Sequence, residues 1–309
     1  MSFIGYGILY ALPRRFYMEI VCPVNNKGGV GKTTITKTIC EYFSTVCNKS
    51  TLVIDMDHQC NLSNRFLRME IDPNEREGKL PSIHPDYDGE DFLYPGWTGR
   101  SSIADIFFGR PVLPYPTHIE KLDILPAHTG TLLAAEHVRR EEVAEKVHNQ
   151  LSKFLSLPDV KDAYEVIVID TPPSKGPLTT SVIRAATHVV IPSIMEPQPI
   201  EGIYGMLQLW KQEQLRRPTD KPINLVGILP NMFNSRSSLH NGLLAGLTNN
   251  PQISQYVIPS KMGRRVAFAE VDAEDAEPSS IFDLPDSNPA KQEALAFCNY
   301  LNKRMYGNG

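Results

Sequence analysis

The stretch NNKGGVGKTT, residues 25–34, decides the fold. It follows an apolar run, EIVCPV (19–24), and leads into a segment of helical character, TITKTICEYF (34–43). A loop that cradles phosphate needs small residues, so that consecutive backbone N–H groups can face the anion. It also needs a lysine for the β- and γ-phosphates, and a hydroxyl for Mg2+ where a helix begins with its positive end toward the charge. Gly28, Gly29 and Gly31, flanking Val30, supply the first, Lys32 the second and Thr33 the third. The form departs from G-x-x-x-x-G-K-[ST], because Asn26 stands at the first glycine and a second lysine, Lys27, follows it. Strand, glycine loop and helix in this order argue against a glycine turn with chance lysines.

Outward from the loop, short apolar runs alternate with helical patterns. Strands are expected at 18–24, 51–55, 122–125, 165–170, 188–191, 223–229 and 256–258. Helices are expected at 33–46, 132–157, 200–217, 239–248 and 289–306. TLVID (51–55) and VIVID (166–170) are unbroken and β-branched, as strands buried on both faces are. Such alternation implies a single α/β domain over 18–306, doubly wound, with a mostly parallel sheet and helices on both faces. Residues 72–99, rich in Pro, Gly, Asp and Tyr, read as a surface insertion, and the acidic, Pro/Ser-rich 272–288 as a loop before the last helix. Residues 1–17 read as an N-terminal extension. Their apolar run precedes its charges and lacks a small-residue cleavage site, which argues against a secretory signal and leaves an extension or an upstream-translated leader.

Composition narrows the function. With 309 residues, 41% hydrophobic and 21% charged, the chain can bury a large core, so disorder, collagen and coiled coil are excluded. No apolar run approaches the roughly 20 residues that cross a bilayer. Lysine and arginine number 31 against 35 acidic residues, a net charge of −4, which excludes a coat of positive charge but not a local basic patch. Five cysteines, Cys22, Cys40, Cys47, Cys60 and Cys298, include no C-x-x-C pair; they read as packed thiols of a reducing cytoplasm.

The form K-G-G-V-G-K-T-T resembles the deviant Walker A motif of the ParA/MinD family of ATPases, and the resemblance runs from about Met18 to Tyr306. IDMDHQCNLS (54–63) is similar to the family's D-x-D-P-Q-G-N segment, with His58 in place of Pro and Cys60 in place of Gly. In YEVIVIDTPPSKGPLT (164–179), Asp170 matches the Walker B aspartate. LPAHTGTLLAAE (125–136), IPSIMEPQPIEG (191–202) and VIPSKMGRRVAFAE (257–270) resemble later family stretches in the same order.

The resemblance implies ATP and Mg2+ as ligands and hydrolysis to ADP and phosphate. Lys32 would neutralise the β/γ-phosphates, Thr33 would bind Mg2+, and Thr34 would touch the α-phosphate. Asp170 would hold Mg2+ through water, Asp55 would support the metal shell or Lys32, and Asp57 would orient the attacking water. Lys27 would reach the phosphates of a facing subunit, giving an ATP-dependent sandwich homodimer. Asn231 in LPNMF and Pro259 in VIPS are the adenine-side candidates.

Two family readings stay open. A ParA/Soj-type partition ATPase, cytoplasmic and nucleoid-associated, binds DNA nonspecifically with ATP and is stimulated by a ParB-like or other adaptor. Candidate DNA contacts are Lys211, Arg216 and Arg217 at one helix end, with Lys261, Arg264 and Arg265 in a loop. A MinD-type membrane-cycling protein needs a C-terminal amphipathic helix. Here Leu295, Cys298, Leu301 and Met305 have core-like spacing, so that helix is expected to pack on the domain and no membrane contact is expected. With 17 residues before Met18, operator-specific autoregulation by this chain is not expected either.

Overall fold

The computed structural model describes residues 18–89, 97–138, 140–273 and 276–307. The extension 1–17 and residues 90–96 of the expected insertion lie outside them.

In chain order the elements are β1 (Glu19–Pro23), α1 (Lys32–Glu41, continued by a wider turn over Tyr42–Val46), β2 (Thr51–Asp55) and α2 (Ser63–Phe66). There follow β3 (Glu70–Ile71), β4 (Lys79–Leu80), β5 (Tyr115–Pro116), β6 (Leu122–Leu125), α3 (Thr129–Glu136), α4 (Glu141–Phe154) and α5 (Pro158–Ala163). Then come β7 (Val166–Asp170), α6 (Pro177–Ala185), β8 (His188–Ser193), α7 (Pro197–Arg216), β9 (Asn224–Pro230), α8 (Ser238–Asn249), α9 (Ala267–Glu270) and α10 (Pro289–Tyr306).

The main sheet has seven strands in the order β5-β6-β2-β7-β1-β8-β9. Every neighbouring pair is parallel except β5 with β6. Period-two alternation explains why its strands read as unbroken apolar runs. Ile20, Cys22, Leu52, Ile54, Ile167 and Ile169 join the core beneath α4, α6 and α7. Val21, Val53, Val166 and Val168 join the opposite core beneath α1 and α10. Phe297 and Leu301 of α10 are fully buried there, so the last helix spends its apolar face on the domain. Truncating either to alanine removes core at a cost of about 2–5 kcal/mol.

The chain leaves β1 toward β2 and leaves β8 toward β9. The crevice between the carboxyl ends of β1 and β8 is therefore the topological switch point, where open α/β sheets take their ligands. The glycine loop lies at its edge.

Two expectations need correction. The single helix at 132–157 is two, because Glu136 is drawn away to the start of α6: its carboxylate accepts from Ser174 Oγ (2.6 Å) and the Leu178 N–H (3.0 Å). The chain restarts as α4, which lies along α6 through Ser181 Oγ to Val147 O (2.9 Å) and Arg184 to Glu145. Residues 256–258 are not a strand but a tight turn over Ser254–Tyr256 and a single rung of Val257 on Ile228. Gly227, at φ +147°, lets the Tyr256 carbonyl press against its backbone, where a side chain would collide. The described part of 72–99 is anchored to the domain at a few buried side chains. His84 is 2% and Trp97 7% exposed, and the His84 ring packs at a tilt against Tyr115 of the edge strand, 4.5 Å between centroids.

Candidate functional site

The glycine loop is held from both sides. Asn25, 1% exposed, donates through Nδ2 to Pro192 O at the end of β8 (2.9 Å) and accepts the Lys27 N–H (3.0 Å). On the other side Asn231 Nδ2 donates to Val30 O (2.8 Å). Gly31 has left-handed backbone (φ +83°), and a Cβ there would strike the Asn231 amide and stand 3.1 Å from Met232 Cε; only glycine fits. Gly31 leaves the start of α1 without a side-chain cap, and no acidic residue occupies the first turn. The loop thus ends in uncapped N–H groups at the positive end of a helix, the arrangement that takes an anion.

The two lysines of the loop differ. Lys32 is 7% exposed, turned inward with Nζ donating to Lys27 O (3.3 Å). Burial pushes its ammonium pKa down, against the opposing charges of Asp170 and Asp57. A phosphate beside it would replace the lost water. Lys27 is half-buried, its stem against Gly202 of α7, where a Cβ would lie 3.0 Å from Lys27 Cγ. Among the described residues no carboxylate pairs with the Lys27 ammonium.

Three aspartates gather at the carboxyl ends of β2 and β7. Asp170 Oδ1 accepts from the Thr171 N–H (3.1 Å) and Thr36 Oγ1 (3.2 Å). Its other oxygen is buried without a protein partner. Desolvation raises the Asp170 pKa, and the charge of Asp57 adds to the rise, while Thr33, Lys32 and Thr36 oppose it. An orphaned carboxylate oxygen beside the Thr33 hydroxyl fits a hydrated divalent cation, whose ligands are hard oxygens and waters. Asp55 is arranged otherwise. Its Oδ2 accepts from Ser63 N–H (2.8 Å) and Oγ (2.7 Å), and its Oδ1 from the Asp57 N–H (3.1 Å), so both oxygens organise the turn. Asp57 is 6% exposed and accepts the Gln59 N–H on Oδ1 (3.1 Å). His58 Nδ1 stands 3.7 Å from that oxygen.

Thr34 is met by Arg65 Nη2 (3.5 Å), which also pairs with Asp272 (2.9 Å). The acidic 272–288 loop is thereby tied to the phosphate-loop helix, since buried Lys37 donates to Asp272 (2.7 Å) and to Ser279 O (3.0 Å). Thr36, Ser63 and Arg65 were not singled out from sequence. Thr36 shares a face of α1 with Thr33 at i, i+3, a signal that could have been read. Asn231 touches the loop itself, whereas Pro259 is exposed beyond it.

The two basic clusters stand apart. Helix α7 runs from the carboxyl end of β8 back toward the amino end of β9, which carries Lys211, Arg216 and Arg217 away from the glycine loop. Arg217 is half-buried, donating to Ala186 O (2.5 Å), and Arg216 pairs with Glu213 (3.1 Å). The 261–265 loop remains near the site: Phe233, next to Met232, donates its N–H to Met262 O at 2.8 Å. Lys261 lies over the Phe233 ring (4.6 Å), Arg265 is closed against Glu293 (2.6 Å), and Arg264 is exposed without an ion pair among the described residues.

Fold and loop define a P-loop nucleotide-binding protein of the doubly wound class. A sequence model of the AAA domain family matches residues 18–223, and the chain belongs to that family, within its ParA/MinD-type ATPases. The chain is 28% identical over 275 residues to the chromosome-partitioning ATPase Soj of Treponema pallidum, covering 88% of this chain and 93% of that one. Among solved structures, a plasmid partition protein of Borrelia burgdorferi bound to AMPPNP superimposes with TM-score 0.66 at 18% identity, over 94% of this chain and 100% of that one. Cobyrinic acid a,c-diamide synthase of Mycobacterium smegmatis, with a bound ATP analogue and magnesium, gives TM-score 0.68 at 20% identity, over 94% and 96%. The two structures differ in activity, so the shared fold alone does not choose between them; the sequence relatives named for partition support the partition ATPase class. No helix among the described residues is long and apolar enough to cross a membrane.

Proposed function

We propose that the chain is a partition ATPase whose ATP-bound form is a sandwich dimer that binds DNA without sequence preference and is released by hydrolysis. The observation that carries this reading is the pair of lysines in one loop. Lys32 is folded inward to serve its own nucleotide, and Lys27 is half-buried with its stem on Gly202 and no ion pair among the described residues.

The Gly28–Gly31 amides and Lys32 hold the β/γ-phosphates, and Thr34 borders the α-phosphate. Asn231 and Pro259 are the proposed adenine contacts, Asn231 doubling as the brace of the loop. Thr33 and the free oxygen of Asp170 hold hydrated Mg2+, which supplies charge compensation to the phosphates when bound. Asp55 contributes by fixing the turn that presents Asp57. Asp57 orients the attacking water. Lys27 offsets the repulsion between two facing nucleotides only when protomers meet. DNA contact falls to Lys261 and Arg264, on the nucleotide side of the sheet, before the Lys211–Arg217 end of α7. A ParB-like or other adaptor then stimulates hydrolysis.

Co-sedimentation with unrelated DNA duplexes and with anionic liposomes, in ATP and in ADP, tests the reading. DNA pelleting that requires ATP and falls steeply with salt is expected. Pelleting with liposomes but not with DNA would overturn it in favour of a membrane-cycling ATPase.

A further inference from the structure

The geometry points to Thr129 as a positioning residue for Asp57, coupled by a hydrogen bond to the stem of the 72–99 segment; the inference rests on the water-orienting role proposed for Asp57. Thr129 is the first residue of α3 and is half-buried. Its hydroxyl donates to His58 O at 2.9 Å and accepts the Lys79 N–H of β4 at 3.0 Å.

The His58 carbonyl and the Gln59 N–H are the two ends of one planar trans peptide. That N–H donates to Asp57 Oδ1 at 3.1 Å. Holding the carbonyl fixes the plane, and fixing the plane aims the N–H at the carboxylate. A rotation that breaks one bond breaks the other. Cys60 in the same turn has left-handed backbone (φ +55°), which glycine would adopt without strain. Cys60 is kept there by its N–H to Asp57 O (2.9 Å), with its Sγ 3.5 Å from His58 O and 3.4 Å from Thr129 Oγ1.

The stem is fastened to the start of α3 at two further points. Asp72 Oδ2 meets His128 Nε2 at 3.0 Å. Glu75 lies over Gly130, where a Cβ would stand 2.8 Å from its Oε1. Movement of the stem therefore reaches Asp57 through Lys79, Thr129 and one peptide. The orientation of the water-handling carboxylate depends on this chain of contacts.

The test compares Thr129→Val and Thr129→Ser in the full chain, with Asp57→Ala in parallel, by steady-state ATP hydrolysis and fluorescent-nucleotide affinity well below the melting temperature. Thr129→Val is expected to lose about tenfold or more in kcat with KM and nucleotide affinity kept, because a small misorientation at the reacting centre is costly. Thr129→Ser is expected to restore turnover, and Thr129→Val to add nothing in the Asp57→Ala background. Thr129→Ala, which adds no bulk, carries the same expectation where valine disturbs folding. Wild-type kcat in Thr129→Val and Thr129→Ala, beside an impaired Asp57→Ala, overturns the inference and leaves the role of Asp57 standing. Wild-type kcat in Asp57→Ala overturns that role and the inference with it. A loss of kcat and affinity together, unrescued by serine, reduces Thr129 to a structural residue and also overturns it.

Discussion

Asp55 and Asp170 face each other as register partners at the carboxyl ends of β2 and β7, both fully buried. Desolvation raises both carboxyl pKa values, and the charge of Asp170 raises Asp55 further. What separates them is hydrogen bonding: Ser63 and the Asp57 N–H occupy both oxygens of Asp55, whereas Asp170 keeps one free. One carboxylate builds the turn, and the other is available to a cation.

The two substitutions should therefore fail differently. Asp55→Ala is expected to lower stability by about 1–3 kcal/mol, since the Ser63 and Asp57 donors lose their acceptor in a buried turn. Asp170→Asn is expected to fold yet to need far more Mg2+ for hydrolysis, because the free oxygen that would hold the hydrated cation is replaced. Urea denaturation beside an Mg2+ titration of turnover checks the pair; equal stability losses with intact Mg2+ dependence would refute the division.

Lys32→Ala is expected to abolish binding of a fluorescent ATP analogue, because the loop loses the one lysine turned inward to its own phosphates. Affinity near wild type would remove the loop from nucleotide binding.

Glu41 supplies a pH signature outside the site. It is 1% exposed between Lys37 and Ser280, and burial raises its pKa from 4.5 to about 7. The folded state thus holds this proton more tightly than the unfolded chain does. Stability from this group is full below pH 4.5 and is lost as pH rises through about 7. Glu41→Gln should accordingly gain on wild type between pH 4.5 and pH 8, by about 3 kcal/mol. Urea midpoints at pH 5 and pH 8 measure it, and a difference between the two proteins that does not grow with pH would contradict the assignment.

Lys261→Glu with Arg264→Glu is expected to weaken DNA binding uniformly across sequences and to flatten its salt dependence, leaving ATP affinity unchanged. Lys211→Glu with Arg216→Glu should have the smaller effect, being at the far end of α7. The reverse ranking in a filter-binding assay would move the DNA surface to that end.

What the residues disclosed in advance follows from where each interaction lies in the chain. Period and β-branching made TLVID and VIVID legible as buried strands, and the glycine loop announced its own strand and helix. The division of 132–157 was hidden because the group that ends α3, Glu136, is claimed by Ser174 and Leu178, some 40 residues on. Residues 256–258 looked like a strand, but the edge they meet is bent by Gly227. Asp57 was visible beside Asp55, yet Thr129, about 70 residues away, carries no local mark of its bond to His58. The basic clusters were equally plain in sequence, and only the course of α7 separates them.

The sandwich depends most directly on Lys27. Measuring mass by light scattering and nucleotide affinity by fluorescence, both for Lys27→Ala with ATP, separates a lysine that serves its own nucleotide from one that serves a partner's. Near wild-type affinity is expected, because the Gly28–Gly31 amides, Lys32 and Thr33 still hold the phosphates, together with a protein that stays monomeric and fails to bind DNA. A Lys27→Ala protein that forms the ATP dimer as readily as wild type would contradict it.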